Sequence, residues 1–244
     1  MKNALVMGGT RGLGLELAKA GATRGYSVLA TGRSAGGFMP IIDSVKFGKQ
    51  DFTDPASPLG SVSRSLEENP PNIVFWVGGI FMKQNLRQCM PGDIETLVTT
   101  HLTGPITAVS GIHASKVLAK QPYHLVVIAS TSSYRIREEE TVYCAAKAAK
   151  AAFARNFSRE LARELPGSKT TLVNPGAMNT GFFLGTEYHG TRNMLMDPAR
   201  VAGIIWEHVI GQTGPYLELN IENGQDNPSV PAVSLGPKEP ERPF

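Results

Sequence analysis

At 244 residues, with 41% apolar and 18% charged side chains, the chain has the balance of a folded globular protein rather than a disordered one. A net charge of +3 with no block of Lys or Arg argues against nucleic acid as a partner, and no apolar run approaches the ~20 residues of a membrane span. The two cysteines make no disulfide framework, the five histidines lack metal-ligand spacing, and the Met1-Lys2-Asn3 start lacks a signal-peptide core, so a metal-free cytoplasmic protein is expected.

Along the chain, short apolar runs alternate with segments of helical spacing. Leu5-Val6-Met7 reads as a buried strand ending in glycines, and residues 12–25 as a helix with Leu13, Leu17, Ala18 and Ala22 on one face. Val28-Leu29-Ala30 and Val45-Lys46-Phe47 are the next strands, followed by Asp51 and a surface helix from Ser57 to Glu68. Ile73 to Val77 is an unbroken apolar strand, as expected where a parallel strand is buried on both faces. Residues 92–120 read as helical with a break or kink at Gly104-Pro105, then His124 to Ala129 as a strand and 141–165 as a long Ala-rich helix. Thr170 to Val173 is a sixth strand, 177–197 a long loop, Pro198 to Val209 a helix and Tyr216 to Ile221 a last strand. The tail over 224–244 is rich in Pro and Gly, has no core pattern and is expected to be loosely ordered. The alternation predicts an α/β chain: one doubly wound Rossmann-type domain over 1–244, with a mostly parallel seven-stranded sheet, helices on both faces, and a ligand crevice at the strand C-terminal ends.

Two features of that crevice can be read from the residues. After the first strand the chain runs Gly8-Gly9-Thr10-Arg11-Gly12-Leu13-Gly14, where glycines permit a sharp turn and close approach to a pyrophosphate at a helix N-terminus. After the second strand stands Gly32-Arg33-Ser34, with no acid to bond an adenosine ribose 2′-OH. Arg11 and Arg33 together suit a 2′-phosphate, which favours NADP(H) over NAD(H).

Tyr143 and Lys147 stand four apart on the Ala-rich helix, hence on one face. A phenol titrates near ~10 in water, and a neighbouring cation lowers that value towards useful acid/base behaviour. Together with their neighbours they make the chain resemble the short-chain dehydrogenase/reductase family, in its short single-domain branch. The matching pieces are Gly8-x3-Gly12-x-Gly14, Asp51, Ser130 thirteen residues before Tyr143, the Tyr143-x3-Lys147 pair and Pro175-Gly176-x3-Thr180. The resemblance implies a hydride-transferring oxidoreductase acting on a carbonyl or alcohol. In it Tyr143 exchanges a proton with the substrate oxygen, Lys147 lowers the Tyr143 pKa and bonds the nicotinamide ribose, and Ser130 hydrogen-bonds the substrate oxygen, with Thr131, Ser132 and Ser133 as competitors for that role. It further implies that Asp51 contacts the adenine, Thr180 the nicotinamide end, and that Gly8, Thr10, Gly12, Leu13, Gly14, Gly78, Gly79, Pro175, Gly176 and Met178 line the cofactor.

Two departures stand out. Where the family has Asn-Asn-Ala-Gly after the fourth strand, this chain has Trp76-Val77-Gly78-Gly79, and the family's helix asparagine, which holds a relay water, corresponds to His101. That imidazole either serves a modified relay or only packs. Phe182, Phe183, Leu184, Tyr188, Met194, Leu195 and Met196 either cover a partly hydrophobic substrate or pack on the domain. Arg135 and Arg137 face either an anionic group or solvent. Ala148, Ala151, Ala152 and Phe153, interrupted by Lys150, suggest a helix surface for a homodimer or homotetramer. The competing function is a dinucleotide-binding sensor or scaffold with little turnover.

Overall fold

The computed structural model describes residues 2–34, 43–54, 59, 63–183 and 194–242. In chain order it forms β1 (Lys2–Met7), α1 (Gly12–Thr23), β2 (Tyr26–Gly32), β3 (Val45–Lys49), α2 (Ser63–Glu68) and β4 (Ile73–Trp76). There follow α3 (Pro91–Val98), a π-helical turn (Thr99–Thr103), α4 (Gly104–Leu118), β5 (His124–Ile128) and α5 (Thr141–Glu164). The chain continues with β6 (Lys169–Pro175), α6 (Pro198–Gly211), β7 (Tyr216–Asn223) and β8 (Pro231–Leu235). One sheet takes the order β3-β2-β1-β4-β5-β6-β7-β8, with only the β7–β8 pair antiparallel. It is a doubly wound Rossmann-like arrangement whose strand order reverses between β1 and β4, and a crevice opens there.

Successive residues of a strand face opposite sides of the sheet. Ala4 and Val6 of β1 join Leu13 and Leu17 of α1 and Ile205 and Trp206 of α6 in one buried cluster. Leu5 and Met7 join Val109 and Ile112 of α4 and Ala151 and Phe157 of α5 in the other. With helices on both faces, every position of the strand is best filled by an apolar side chain, which explains the unbroken apolar runs. Trp206 ties α6 to α1. Its Nε1 donates to the Leu17 carbonyl at 2.9 Å, and its ring lies 4.9 Å from those of Tyr26 and Phe75. Gly21 makes room for it, since a Cβ there would lie 2.8 Å from the indole.

Three expectations need correction. The sheet has eight strands, not seven, because Pro231–Leu235 pairs antiparallel with Leu219–Asn223 and gives order to part of the tail. A half-exposed edge strand carries little apolar pattern, and proline at its first position reads locally as loop. The helix break lies at Thr99–Thr103 rather than at Gly104-Pro105. Pro105 has no N–H to donate back into the preceding turn, so the ladder loosens ahead of it and helix resumes in α4. Finally, Lys150 does not interrupt an exposed face of α5. It is fully buried, as is Ala151, while Ala148 and Ala152 are exposed. Leu184, Tyr188 and the anticipated helix start at Ser57 lie outside the described residues. No described helix is long and apolar enough to cross a membrane.

Replacing Trp206 by Ala removes a fully buried ring and the Leu17 bond. Urea unfolding should show a loss of about 3–5 kcal/mol; a loss under about 1 kcal/mol would mean α6 does not anchor this face through Trp206.

Candidate active site

The crevice begins where two main chains leave the sheet together. Met7 pairs with Trp76, and the N–H groups of Val77 and Gly78 both donate to the Met7 carbonyl at 2.9 Å. On the other side, Gly8 and Gly9 donate to the Thr31 carbonyl at 3.0 and 2.8 Å. Gly8 has φ +89°, and a Cβ on it would lie 2.5 Å from the Gly78 nitrogen, so a side chain is excluded twice over. A Cβ on Gly14 would lie 2.0 Å from the Gly8 carbonyl oxygen, which sets α1 directly on the turn. Arg11 is the N-cap of α1 but makes no side-chain cap bond, and the first turn carries no acid. The first N–H groups of α1 therefore lack the usual side-chain partner and suit an anion.

One continuous cleft is lined by Gly8, Thr10, Arg11, Gly12, Leu13, Gly14, Arg33, Asp51, Gly78, Gly79, Pro175, Gly176, Met178 and Thr180, and also by Ser130, Tyr143 and Lys147. Thr10 packs on Gly32, where a Cβ would lie 2.5 Å from the threonine oxygen, so Arg11 and Arg33 flank this contact. Asp51 accepts from Thr53, at 3.0 Å from the backbone and 2.8 Å from the hydroxyl. Burial pushes its carboxyl up, but those bonds and the nearby Arg33 and Lys49 together hold it below its ordinary value. Across the cleft, Gly176 fits against Asn223, whose side chain takes the Ala177 N–H at 2.9 Å and gives a bond to its carbonyl at 3.0 Å. The glycines and the uncapped helix start fit the pyrophosphate of a dinucleotide.

At the other end, Ser130 follows β5 and caps a short helical turn over Thr131–Ser133, its Oγ accepting the Ser132 N–H at 3.1 Å. Ser133 is engaged elsewhere, donating to Asn174 at 3.2 Å. Burial raises the Tyr143 phenol well above its ordinary value, the Glu140 charge adds to this, and hydrogen bonding from Ser130 acts the other way. Lys147 lies with its Nζ 5.4 Å from the Tyr143 ring centre, and burial pushes its own pKa down to about 7. The phenol is raised, not lowered as expected from its neighbour Lys147, because desolvation penalises the charged form of each group.

Phe81 meets Tyr143 edge-on at 5.0 Å between ring centres and Phe183 at the same separation, and Phe182 lies 6.3 Å from Tyr143. The loop carrying Phe81 is pinned to the start of α5 by Lys83–Glu139 at 3.4 Å and Asn85–Glu139 at 3.0 Å. Phe81 and Glu140 both line the cleft and were not anticipated; each sits in an irregular segment where periodicity gives no signal. Glu140 is buried, and that burial raises its carboxyl despite Arg137 and Lys83 nearby. Arg137 joins the cleft, whereas Arg135 pairs with Glu222 at 2.9 Å and Glu241 at 3.8 Å.

His101 is not among the residues lining the cleft. It lies beneath it: Nε2 is 3.0 Å from the Ile80 nitrogen and 2.7 Å from its carbonyl oxygen, and a Cβ on Gly79 would lie 2.5 Å from the ring. Nδ1 is buried with no hydrogen-bond partner among the described residues. Burial first, then Lys147 and Lys150, push this imidazole well below its ordinary value.

A profile of the short chain dehydrogenase family matches residues 2–187. The chain belongs to the short-chain dehydrogenase/reductase family. An uncharacterised oxidoreductase of Staphylococcus saprophyticus is 25% identical over 213 residues, covering 82% of this chain and 88% of the relative. Among solved structures, a 4-hydroxyisoleucine dehydrogenase complexed with NADH superposes with TM-score 0.80 at 18% identity, covering 92% of this chain and 98% of the other. An actinorhodin polyketide ketoreductase with NADPH gives 0.77 at 20% identity, covering 90% and 95%. At those identities the likeness is one of fold.

The depressed Lys147 has a consequence for stability of the cofactor-free protein. Between about 7 and 10.5 the unfolded chain binds a proton that the folded chain does not, so folding is penalised most below about 7 and not at all above 10.5. Urea titrations of Lys147→Met should therefore show a gain in stability at pH 7 that fades towards pH 10.5. An equal gain at both would show that the buried amine does not titrate in this way.

Proposed function

We propose that this member of the family is an NADP(H)-dependent oxidoreductase acting on a carbonyl or alcohol with an apolar or aromatic body. The observation that carries the reading is the convergence of Ser130, Tyr143 and Lys147 at one part of a cleft that also holds the uncapped α1 turn, Arg11 and Arg33. When bound, the nicotinamide supplies the hydride in the reducing direction and accepts it in the other.

The chain's own residues supply the remainder. The Tyr143 phenol, kept protonated by its burial, is a proton donor to an oxygen placed against Oη, and Ser130 offers a second hydroxyl to charge developing on that oxygen. Lys147, with a pKa near 7, carries a proton for much of the time at neutral pH, and its cation stabilises the phenolate left after transfer. Phe81, Phe182 and Phe183 exclude water around the phenol and favour an apolar substrate, while Glu140 and Arg137 offer polar contacts. Arg11 and Arg33 accept a 2′-phosphate by forked, charge-assisted bonds. His101, held by Ile80, supports the cleft floor.

Tyr143→Phe should bind NADPH with near wild-type affinity but lose at least about a hundredfold in turnover on a panel of ketones and aldehydes, followed by NADPH absorbance. Full activity in that variant would end the acid/base assignment, whereas NADPH binding by the wild type without turnover of any compound would favour a dinucleotide sensor. Arg33→Ala should shift the ratio of NADPH to NADH affinities by about tenfold, the worth of a charge-assisted hydrogen bond. An unchanged ratio would remove the basis for NADP(H) preference.

A further inference from the structure

The helix that bears Tyr143 and Lys147 bears a second buried lysine that the chemistry above does not use. Lys150 is fully buried on α5, one turn beyond Lys147. Its Nζ lies 4.8 Å from the centre of the Trp76 ring and donates to the Gly78 carbonyl at 3.4 Å. Trp76 ends β4, and Gly78 lines the cleft beside the glycine turn. His101, from the π-helical turn, meets the main chain of Ile80 and packs on Gly79. Two basic side chains from separate helical segments therefore grip residues 78–80, a stretch with no side-chain amide of its own.

An amine is an expensive way to fill that space. The titratable groups acting on Lys150 and its surroundings are Lys147 on the same helix and His101 on the facing turn, and neither is an acid. Burial, and then the Lys147 charge, push Lys150 well below the ordinary lysine value. Methionine would fill a similar volume against the indole without that penalty. A strongly perturbed group placed directly behind a cleft points to a role in the cleft rather than in packing alone.

We propose that Lys150 is a positioning residue of the cofactor cleft: seated on the Trp76 ring and bonded to the Gly78 carbonyl, it fixes, together with His101, the main chain of residues 78–80. The proposal rests on the dinucleotide reading of the cleft, and Lys150 acts through the main chain without touching the ligand. The amine is kept at a cost in stability for the sake of one hydrogen bond to a cleft-lining carbonyl.

The test compares wild type with Lys150→Met by urea unfolding at pH 7, by amide hydrogen exchange at Gly79 and Ile80, and by titration with NADPH. The variant should be more stable than wild type and yet exchange the Gly79 and Ile80 amides faster, with NADPH affinity weakened about five- to tenfold. A side chain that only packs would give the gain in stability with unchanged exchange and affinity, and that result overturns the proposal. Failure of the variant to fold, or a loss of stability, also overturns it, because the amine would then be holding the fold. If the wild type does not bind NADPH, the dinucleotide reading falls, and exchange at Gly79 and Ile80 decides by itself whether Lys150 holds this segment.

Discussion

Two main chains approach so closely at the ends of β1 and β4 that Gly8 has no room for a side chain against the Gly78 backbone, and a Cβ on Gly78 would lie 2.8 Å from the Phe52 ring. This contact sits where the strand order reverses, and most of the site is built outward from it. Because Met7 accepts from both Val77 and Gly78, the turn into α1 and the segment leading to Phe81 are fixed by the same strand pair. The helix start faces the cleft on one side, and the aromatic wall begins on the other. A bulkier residue at Gly8 would push against the Gly78 main chain and so against the other half of the sheet.

In and behind the cleft, burial governs the charges. Tyr143, Lys147, Lys150 and His101 lie close together with little solvent, and desolvation moves each of them towards its neutral form. In the proposed chemistry the neutral phenol is the donor, and an amine with a pKa near 7 stabilises the phenolate that donation leaves behind. The carboxylates that might quench this layer are placed elsewhere. Glu218 is bound by Arg155 at 2.7 Å about two turns further along α5, and Glu222 by Tyr134 and Arg135. Glu140 is an acid that reaches the cleft near Tyr143, and burial raises it too.

The order of the chain's end belongs to the same design. Once β8 pairs with β7, the following residues return over the segment after Ser130, where Glu241 bonds the Tyr134 carbonyl and the Ile136 N–H at 2.8 and 2.9 Å. The loop joining Ser130 to α5 is thereby held from outside, while Ser130 itself is held by its own bond to Ser132.

Much of this was legible in order and spacing. Apolar runs buried on both faces announced the parallel strands, the glycine spacing announced the turn, and Ser130, Tyr143 and Lys147 stood at offsets that one strand end and one helix face impose. These are local or periodic constraints, and such constraints are written in the residues that obey them. The eighth strand was not legible, because an edge strand needs only one partner and carries half a pattern. Phe81 and Glu140 were missed because irregular loops reach the cleft by way of distant bonds to Glu139 and burial beside Arg137. The burial of Lys150 was not legible, since composition cannot say which face of an Ala-rich helix turns inward. The sequence by itself determined the family, the fold and the spacing of Ser130, Tyr143 and Lys147 along it. Only the tertiary structure decided which side chains lose their water, and with that which of them carry charge.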